Sequence, residues 1–143
     1  MKNILFIVSL ILVIACGNEN EEVSANTAQQ ESPDSLFQQV MEEHNVAMAK
    51  VKKVRGYRAQ ADKKIDSLKK VKKPTEALTT LSGELKSADE NMDRWMTEFS
   101  LDSAQEGASE KRISYLNAEK VKVTKVKEEI LSVIAKADTM LSK

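Results

Sequence analysis

The sequence predicts an all-α protein: an elongated antiparallel three-helix bundle with coiled-coil-like heptad packing, preceded by a disordered N-terminal tether. Two observations lead to this prediction. Apolar residues recur at alternating spacings of three and four along three long segments, which is the pattern of helices packed along narrow seams. The chain also contains only 4 glycines and 2 prolines, and 31% of its residues are charged whereas 4% are aromatic. That composition favours long amphipathic helices over a thick globular core.

Residues 1–15 have the features of a signal peptide. Lys2 gives a positive start, residues 4–15 form an almost unbroken apolar run, and Ala15 is a small residue at its end. A membrane-spanning helix needs about 20 apolar residues, so this run is too short to remain in a bilayer as a span. A charged start, a short apolar core and a small final residue are typical of a secretory signal peptide.

Cys16 is the only cysteine of the chain and follows this run directly. Val13, Ile14, Ala15 and Cys16 resemble the lipobox of bacterial lipoproteins, in which an aliphatic and a small residue precede the cysteine that becomes the lipidated N-terminus. The resemblance implies that Cys16 carries two or three acyl chains, palmitate among them, and that it anchors the protein in the bacterial cell envelope. Two or more chains make a stable anchor, whereas a single chain holds only marginally. The alternative is an ordinary cleaved signal peptide that happens to contain a cysteine.

Residues 16–32 are predicted to form a disordered acidic tether. The segment contains Glu19, Glu21, Glu22 and Glu31, lacks basic residues and has almost no large apolar side chains, so it cannot bury enough surface to fold. We expect it to let the folded part stand away from the bilayer. The three early glutamates also resemble the signal that sends some Bacteroidetes lipoproteins to the cell surface. The expected location is therefore the outer membrane, on its periplasmic face or at the surface.

The bundle is predicted over residues 33–143, with helices at about 33–72, 75–99 and 109–142. Ser32 is a good N-cap, Pro33 is tolerated at the first helical position, and an acidic residue in the first turn suits the helix dipole. Pro74 should end the first helix, because proline removes a donor and restricts the residue before it. Before the third helix, Ser103 and Glu106 could form a capping box; the alternative is a later start, favoured by Gly107 and Ser109.

Each predicted helix carries one apolar seam. The seam of the first comprises Phe37, Val40, His44, Ala47, Val51, Val54, Arg58, Ala61, Ile65 and Leu68. The seam of the second comprises Leu78, Leu81, Leu85, Ala88, Met92, Trp95 and Phe99. The seam of the third comprises Ile113, Leu116, Val123, Val126, Ile130, Val133, Ile134, Ala137, Met140 and Leu141. Because short connections join the helices, they should pack up-down-up.

Charge is distributed unevenly along the bundle. A basic stretch, residues 50–73, begins at Lys50 and ends at Lys73, and residues 74–110 are mainly acidic. Neighbouring helices of opposite charge attract each other and fix their register. The alternative is that the basic stretch binds an envelope protein or an acidic polymer. Nucleic acid is not an expected partner, because Tyr57 is the only aromatic residue among these basic side chains.

Four residues of the predicted bundle are candidates for a soft-metal or small-ligand site. When the first two helices turn back on each other near Pro74, His44 and Met48 come level with Trp95 and Met96. Imidazole and thioether groups suit Cu(I) and Ag(I). The alternative, which we prefer at this point, is that the methionines fill gaps in the packing and that Trp95 caps one end of the core.

The sequence offers no catalytic residues and no cofactor motif. With 1 histidine and a single cysteine assigned to the lipid, a histidine-based zinc site and a Cys–His nucleophile pair are not expected. Glycine-rich phosphate loops and Gly-x-Ser-x-Gly elbows do not occur. We therefore expect a non-enzymatic scaffold or protein-interaction module. The alternative functions are a Cu(I)/Ag(I) or small-ligand binder and a chaperone-like envelope-stress module that clasps unfolded chains in an apolar groove.

Three segments of the predicted bundle resemble one group of proteins. They are residues 43–48 (Glu-His-Asn-Val-Ala-Met), residues 88–99 with their Trp-Met-x-x-Phe ending, and Tyr115 with Glu119, Val126 and Ile130. The set resembles the small Bacteroidetes lipoproteins labelled "viral A-type inclusion protein" relatives, a label that implies nothing about viruses. The resemblance covers residues 36–143 and departs at Asn45 and Val46, where the family usually has Asp and Glu. It implies a helical fold and an envelope location, and no particular activity.

Overall fold

The computed structural model describes residues 31–142, which form four α-helices: α1 (Pro33–Lys70), α2 (Glu76–Glu98), α3 (Leu101–Gln105) and α4 (Ser109–Leu141). This part of the chain contains no β-strand. The predicted all-α helical bundle is therefore confirmed. The predicted signal peptide, the lipobox with Cys16 and nearly all of the predicted tether lie outside the described residues, as does Lys143.

The two longest helices, α1 and α4, run parallel to each other. Near their N-terminal ends, Asp34 of α1 forms an ion pair with Arg112 of α4 at 2.6 Å. Further along both helices, Lys53 near the middle of α1 pairs with Asp138 near the end of α4 at 3.1 Å. Because α1 contains 38 residues and a helix rises about 1.5 Å per residue, α1 is about 57 Å long. The bundle is accordingly elongated.

Helix α2 runs antiparallel to α4. Glu84, in its first half, pairs with Lys136 near the end of α4 at 2.6 Å, whereas Trp95, near its end, bonds to Glu119 in the first half of α4. Contacts between α1 and α2 are also antiparallel, because Asp62 pairs with Ser82 and the earlier Arg55 pairs with the later Asp89. The three long helices therefore have the predicted up-down-up arrangement.

The core extends along the line where α1, α2 and α4 meet. Its largest fully buried side chains are Leu36, Leu81, Leu85, Met92, Leu116, Ile130, Val40, Val54 and Val123. At the start of α1 the core position belongs to Leu36 and not to the predicted Phe37, which is half-buried on the flank of the helix. The two residues are adjacent on a broad apolar face, so spacing alone does not distinguish them.

Serine side chains cap two of the helices. The Ser32 hydroxyl accepts a hydrogen bond from the Ser35 amide at 3.1 Å, so the predicted N-cap of α1 is confirmed. The Ser100 hydroxyl accepts from the Ser103 amide at 3.1 Å and caps α3. The suggested capping box of Ser103 and Glu106 is therefore wrong, and the long helix α4 has the alternative later start, at Ser109. Helix α3 has 5 residues, too few to show a helical period in the sequence.

The C-terminal end of α1 is closed by a left-handed residue. The Lys73 amide donates to the Leu68 carbonyl at 3.0 Å, and the Lys72 amide donates to the Lys69 carbonyl at 3.1 Å. These two bonds form a Schellman motif, whose turning residue is usually glycine. Here that residue is Lys72, with φ of 55°. The helix consequently ends at Lys70, two residues before the predicted last residue, Lys72.

We predict that Lys72→Gly stabilises the bundle by about 0.5–1 kcal/mol, because glycine adopts positive φ without the steric cost that a Cβ atom imposes. Urea denaturation followed by circular dichroism measures the effect. Lys73→Gly is the matched control, since it removes the same charge at a residue without positive φ. If Lys72→Gly is no more stable than Lys73→Gly, the backbone of Lys72 is not strained.

Candidate functional site

Aromatic rings gather at the end of the bundle where α1 begins and α2 ends. Trp95 lies 5.3 Å from the His44 ring and 5.0 Å from the Phe99 ring, measured between centroids. Phe99 lies 6.5 Å from Phe37 and 5.9 Å from Tyr115. We call these five residues the aromatic cluster. Tilted rings at such distances stabilise each other beyond the area that they bury.

A buried carboxylate holds the central ring of this cluster. Glu119 is only 3% exposed, and its Oε2 accepts a hydrogen bond from the Trp95 indole nitrogen at 3.0 Å. Its Oε1 accepts from the Lys122 ammonium at 2.7 Å, and this bond raises the pKa of Lys122. A charged group at such depth would be costly without partners. Oε2 of Glu119 thus joins α4 to Trp95 of α2, and Oε1 is paired with Lys122 of the same helix.

The position of Glu119 could have been found from the spacing of the apolar residues. Leu116 and Val123 are separated by seven residues, and Glu119 fills the intermediate position of the three-four pattern. The predicted seam of the third helix omitted Glu119, because charged residues are almost never buried unless paired. The indole N–H of Trp95 was the signal, since it needs a partner when the ring is buried.

Helix α3 covers this end of the core. Ala104 is the buried residue of α3, and its carbonyl accepts a hydrogen bond from Arg112 Nε at 3.0 Å. The Tyr115 hydroxyl accepts from the Ser100 amide at 2.7 Å, which fixes the start of α3 against α4. Since Arg112 also pairs with Asp34 of α1, α1, α3 and α4 are joined at this end.

The structure brings together part of the proposed soft-metal set. Trp95 is buried and His44, which is half-buried, lies against its ring. Met48 and Met96 are each 37% exposed, so neither fills a gap in the core. The predicted role of methionine as core filler fits the fully buried Met92. It does not describe these two exposed side chains.

Part of the basic stretch is occupied by contacts between helices. Arg55 of α1 forms a two-pronged contact with Asp89 of α2, with Nε and Nη2 each 2.9 Å from a carboxylate oxygen. The aspartate raises the pKa of Arg55 through this hydrogen bond. Lys53 faces α4 instead, where Asp138 accepts from both Lys53 and the Tyr57 hydroxyl.

These contacts change the protonation equilibria at the α1–α4 boundary. The Tyr57 hydroxyl and the Lys53 ammonium both donate to Asp138 and hold the pKa of its carboxyl below the ordinary value. Hydrogen bonds with Tyr57 and Asp138 raise the pKa of Lys53. Because the pKa of Asp138 is depressed in the folded state, its stabilising contribution is present above its unfolded pKa and is lost as the pH falls through the folded value. The charged side chains of Lys53 and Asp138 are at the surface, so the contribution is small.

The opposite end of the bundle differs from the aromatic end: it is rich in lysine, and it has an open apolar groove. Four lysines surround the α1–α2 turn and form no ion pair with any other described residue; they are Lys69, Lys70, Lys72 and Lys73. Val71, in their midst, is 62% exposed. Beside the turn, Leu68, Leu78 and Met140 line an apolar groove of about 500 Å³. We call the four lysines, Val71 and this groove the basic tip.

Within residues 31–142, no helix is both long and apolar enough to cross a membrane. The same residues contain no group of three or more His, Cys, Asp or Glu side chains suited to a metal ion. Comparison of the chain with protein-family models, curated proteins and solved structures found no match. The resemblance to the small Bacteroidetes lipoproteins therefore stays a prediction.

Proposed function

We propose that this protein is a lipoprotein of a bacterial cell envelope, anchored through acylated Cys16, whose bundle is a non-enzymatic scaffold or protein-interaction module. The observation that carries the proposal is the placement of the one cysteine directly after Val13, Ile14 and Ala15 at the end of a short apolar run. The lipid would attach the protein to a membrane, and the outer membrane is the proposed one. A stable attachment of this kind needs at least two acyl chains, each contributing about 0.8 kcal/mol per buried CH2.

The use of polar side chains within the bundle supports a structural role. Glu119, the buried carboxylate of the described residues, is held by Trp95 and Lys122. Arg55 and Lys53 join α1 to its two neighbours. A catalytic carboxylate would need free lone pairs facing a substrate site, whereas Glu119 binds Trp95 of α2 with one oxygen and Lys122 of its own helix with the other.

The direction of the bundle relative to its anchor favours the basic tip as the surface that meets a partner. The acidic segment that follows Cys16 enters α1 at Pro33, beside the aromatic cluster. The basic tip lies at the other end of α1, at a distance of about 57 Å for a helix of about 1.5 Å per residue. An anchored bundle would thus present its four lysines away from the point of attachment.

The chemistry of the basic tip favours an acidic protein segment as the partner. Four lysines without internal ion pairs provide positive charge, and the groove of Leu68, Leu78 and Met140 could accept two or three apolar side chains. Complementary charge steers association and fixes register, while buried apolar anchors supply most of the affinity. We therefore propose the basic tip as the partner surface. It keeps the last four lysines of residues 50–73 and adds the neighbouring apolar groove.

Photo-crosslinking in intact cells tests this function. A crosslinking amino acid at Val71 is expected to form an adduct with an envelope protein, identified by mass spectrometry, and Lys69→Glu with Lys73→Glu should abolish that adduct. Val121 is the matched control, because this valine is 72% exposed and lies on α4 away from the tip. The proposal is contradicted if Val71 gives no more protein adduct than Val121, or if its adducts contain only polysaccharide or lipid.

A further inference from the structure

The packing of α1 against α2 repeats every seven residues along one flank. Asp62 of α1 accepts a hydrogen bond from the Ser82 hydroxyl of α2 at 2.5 Å. Seven residues earlier on α1 and seven later on α2, Arg55 bonds to Asp89 at 2.9 Å. Seven residues are about two helical turns in such a bundle, so both pairs occupy the same flank. Because the helices are antiparallel, residue numbers decrease along α1 as they increase along α2.

The next step along this flank brings two methionines to the same level. Seven residues before Arg55 is Met48, and seven residues after Asp89 is Met96. Both residues lie within helices whose register the two polar pairs define. Their equal exposure of 37% fits a flanking position on each helix. The flank thus changes from polar pairs at Asp62 and Arg55 to a pair of thioethers.

His44 completes a set of neutral donors beside these methionines. It precedes Met48 by four residues, one helical turn, so the two side chains share a face of α1. Its ring lies against Trp95, the neighbour of Met96 in the chain. His44 Nδ1 lies 3.2 Å from the Asn45 side-chain oxygen. An amide oxygen only accepts hydrogen bonds, so the His44 tautomer with its proton on Nδ1 would donate to Asn45 and leave the Nε2 lone pair for a metal ion.

We propose that His44, Met48 and Met96 bind one soft monovalent cation, Cu(I) or Ag(I), beside the indole ring of Trp95. Thioether and imidazole ligands select Cu(I) over hard divalent cations, which prefer oxygen donors. Histidine ligands of metals commonly donate their other ring N–H to an oxygen acceptor, which fixes the tautomer and the ring. Asn45 supplies that acceptor here. Trp95 is the only tryptophan of the chain, so its fluorescence reports directly on this position.

Titration with Ag(I) tests the site. The full-length chain in detergent, with Cys16→Ser so that no thiol competes, is expected to bind one Ag(I) with quenching of the Trp95 emission. Met48→Leu combined with Met96→Leu should weaken binding at least tenfold while the circular dichroism and the urea midpoint stay unchanged, because leucine replaces methionine with little change of volume. His44→Gln should weaken it similarly.

Met140→Leu is the matched control, since Met140 lies at the basic tip, and it should leave the affinity for Ag(I) unchanged. Cu(I) added without oxygen should compete for the same site, and Zn(II) should not. The proposal is overturned if Ag(I) does not bind, or if the double leucine variant binds it as tightly as the parent chain. Its failure would leave the lipid-anchored scaffold untouched, because neither methionine belongs to the basic tip.

Discussion

Replacing Trp95 by alanine is expected to destabilise the bundle by about 3–5 kcal/mol, the usual cost of truncating a buried tryptophan. The ring is only 5% exposed and lies against both His44 and Phe99. Its loss would leave a cavity and remove the indole donor from the buried Glu119 carboxylate. Since small domains are stable by about 5–15 kcal/mol, the variant should be only marginally folded. Urea denaturation followed by circular dichroism measures this loss.

Two further variants separate the cavity from the lost hydrogen bond. Glu119→Gln keeps an oxygen acceptor for the indole N–H and gives up the ion pair with the exposed Lys122, so it should cost less than about 1 kcal/mol. Glu119→Leu leaves the buried indole N–H without a partner and should cost about 1–3 kcal/mol. Met96→Ala, next to Trp95 but on the exposed flank, should stay within about 0.5 kcal/mol. If Trp95→Ala costs no more than Met96→Ala, the aromatic cluster does not stabilise this end of the bundle.

The sequence predicted the bundle because its apolar residues keep a regular three-four spacing over three long segments. That spacing places one face of each helix inside, whatever the details of the side chains. The sequence also located the start of α1, because Ser32, Pro33 and Asp34 each favour the same boundary. It could not locate α3, whose 5 residues are held by the Ser100 cap and by contacts to Tyr115 and Arg112. Those contacts are remote in sequence.

Some features were hidden because specific hydrogen bonds override the usual preference of a residue type. Glu119 is buried only because Trp95 supplies a donor from another helix. Lys72 takes positive φ, which lysine rarely adopts, because the hydrogen bonds of the turn to Leu68 and Lys69 outweigh the steric cost. In both cases the residue type alone pointed to the opposite conclusion.

The candidate soft-metal site was partly predictable. Folding α1 and α2 back on each other near Pro74 is enough to bring His44 level with Trp95, and their rings are in contact. The pairing of Met48 with Met96 is different, because it follows from the register that the Arg55–Asp89 contact defines. Register depends on which of several offset pairings has the best packing, and charge patterns of whole segments do not resolve an offset of one turn.

The division of the basic stretch also required the structure. The sequence offered two interpretations, complementary flanks or a binding surface; the described residues show interhelical ion pairs in part of the stretch, and the binding surface stays a proposal. Arg55 and Lys53 join helices, whereas Lys69 and its neighbours at the tip form no ion pair with another described residue. Fewer neighbouring side chains can supply a counter-charge at the end of a bundle than at its middle. This explains why the lysines beside the turn lack an ion pair with another described residue.

The second large effect concerns Cys16. If the lipobox resemblance is correct, Cys16→Ala removes the only group that can carry the acyl chains, and the attachment of the mature bundle to the membrane is lost with them. Ala15→Gly is the matched control, because it keeps a small residue before the cysteine and should preserve lipidation.

Metabolic labelling with palmitate tests the lipid anchor most directly. Cells expressing the parent chain, Cys16→Ala and Ala15→Gly would be grown with labelled palmitate, and the protein would be isolated from each. The parent chain and Ala15→Gly are expected to incorporate the label, and Cys16→Ala to incorporate none. Equal labelling of Cys16→Ala and the parent chain, or no labelling of either, would contradict the account of this protein as a bundle anchored through Cys16.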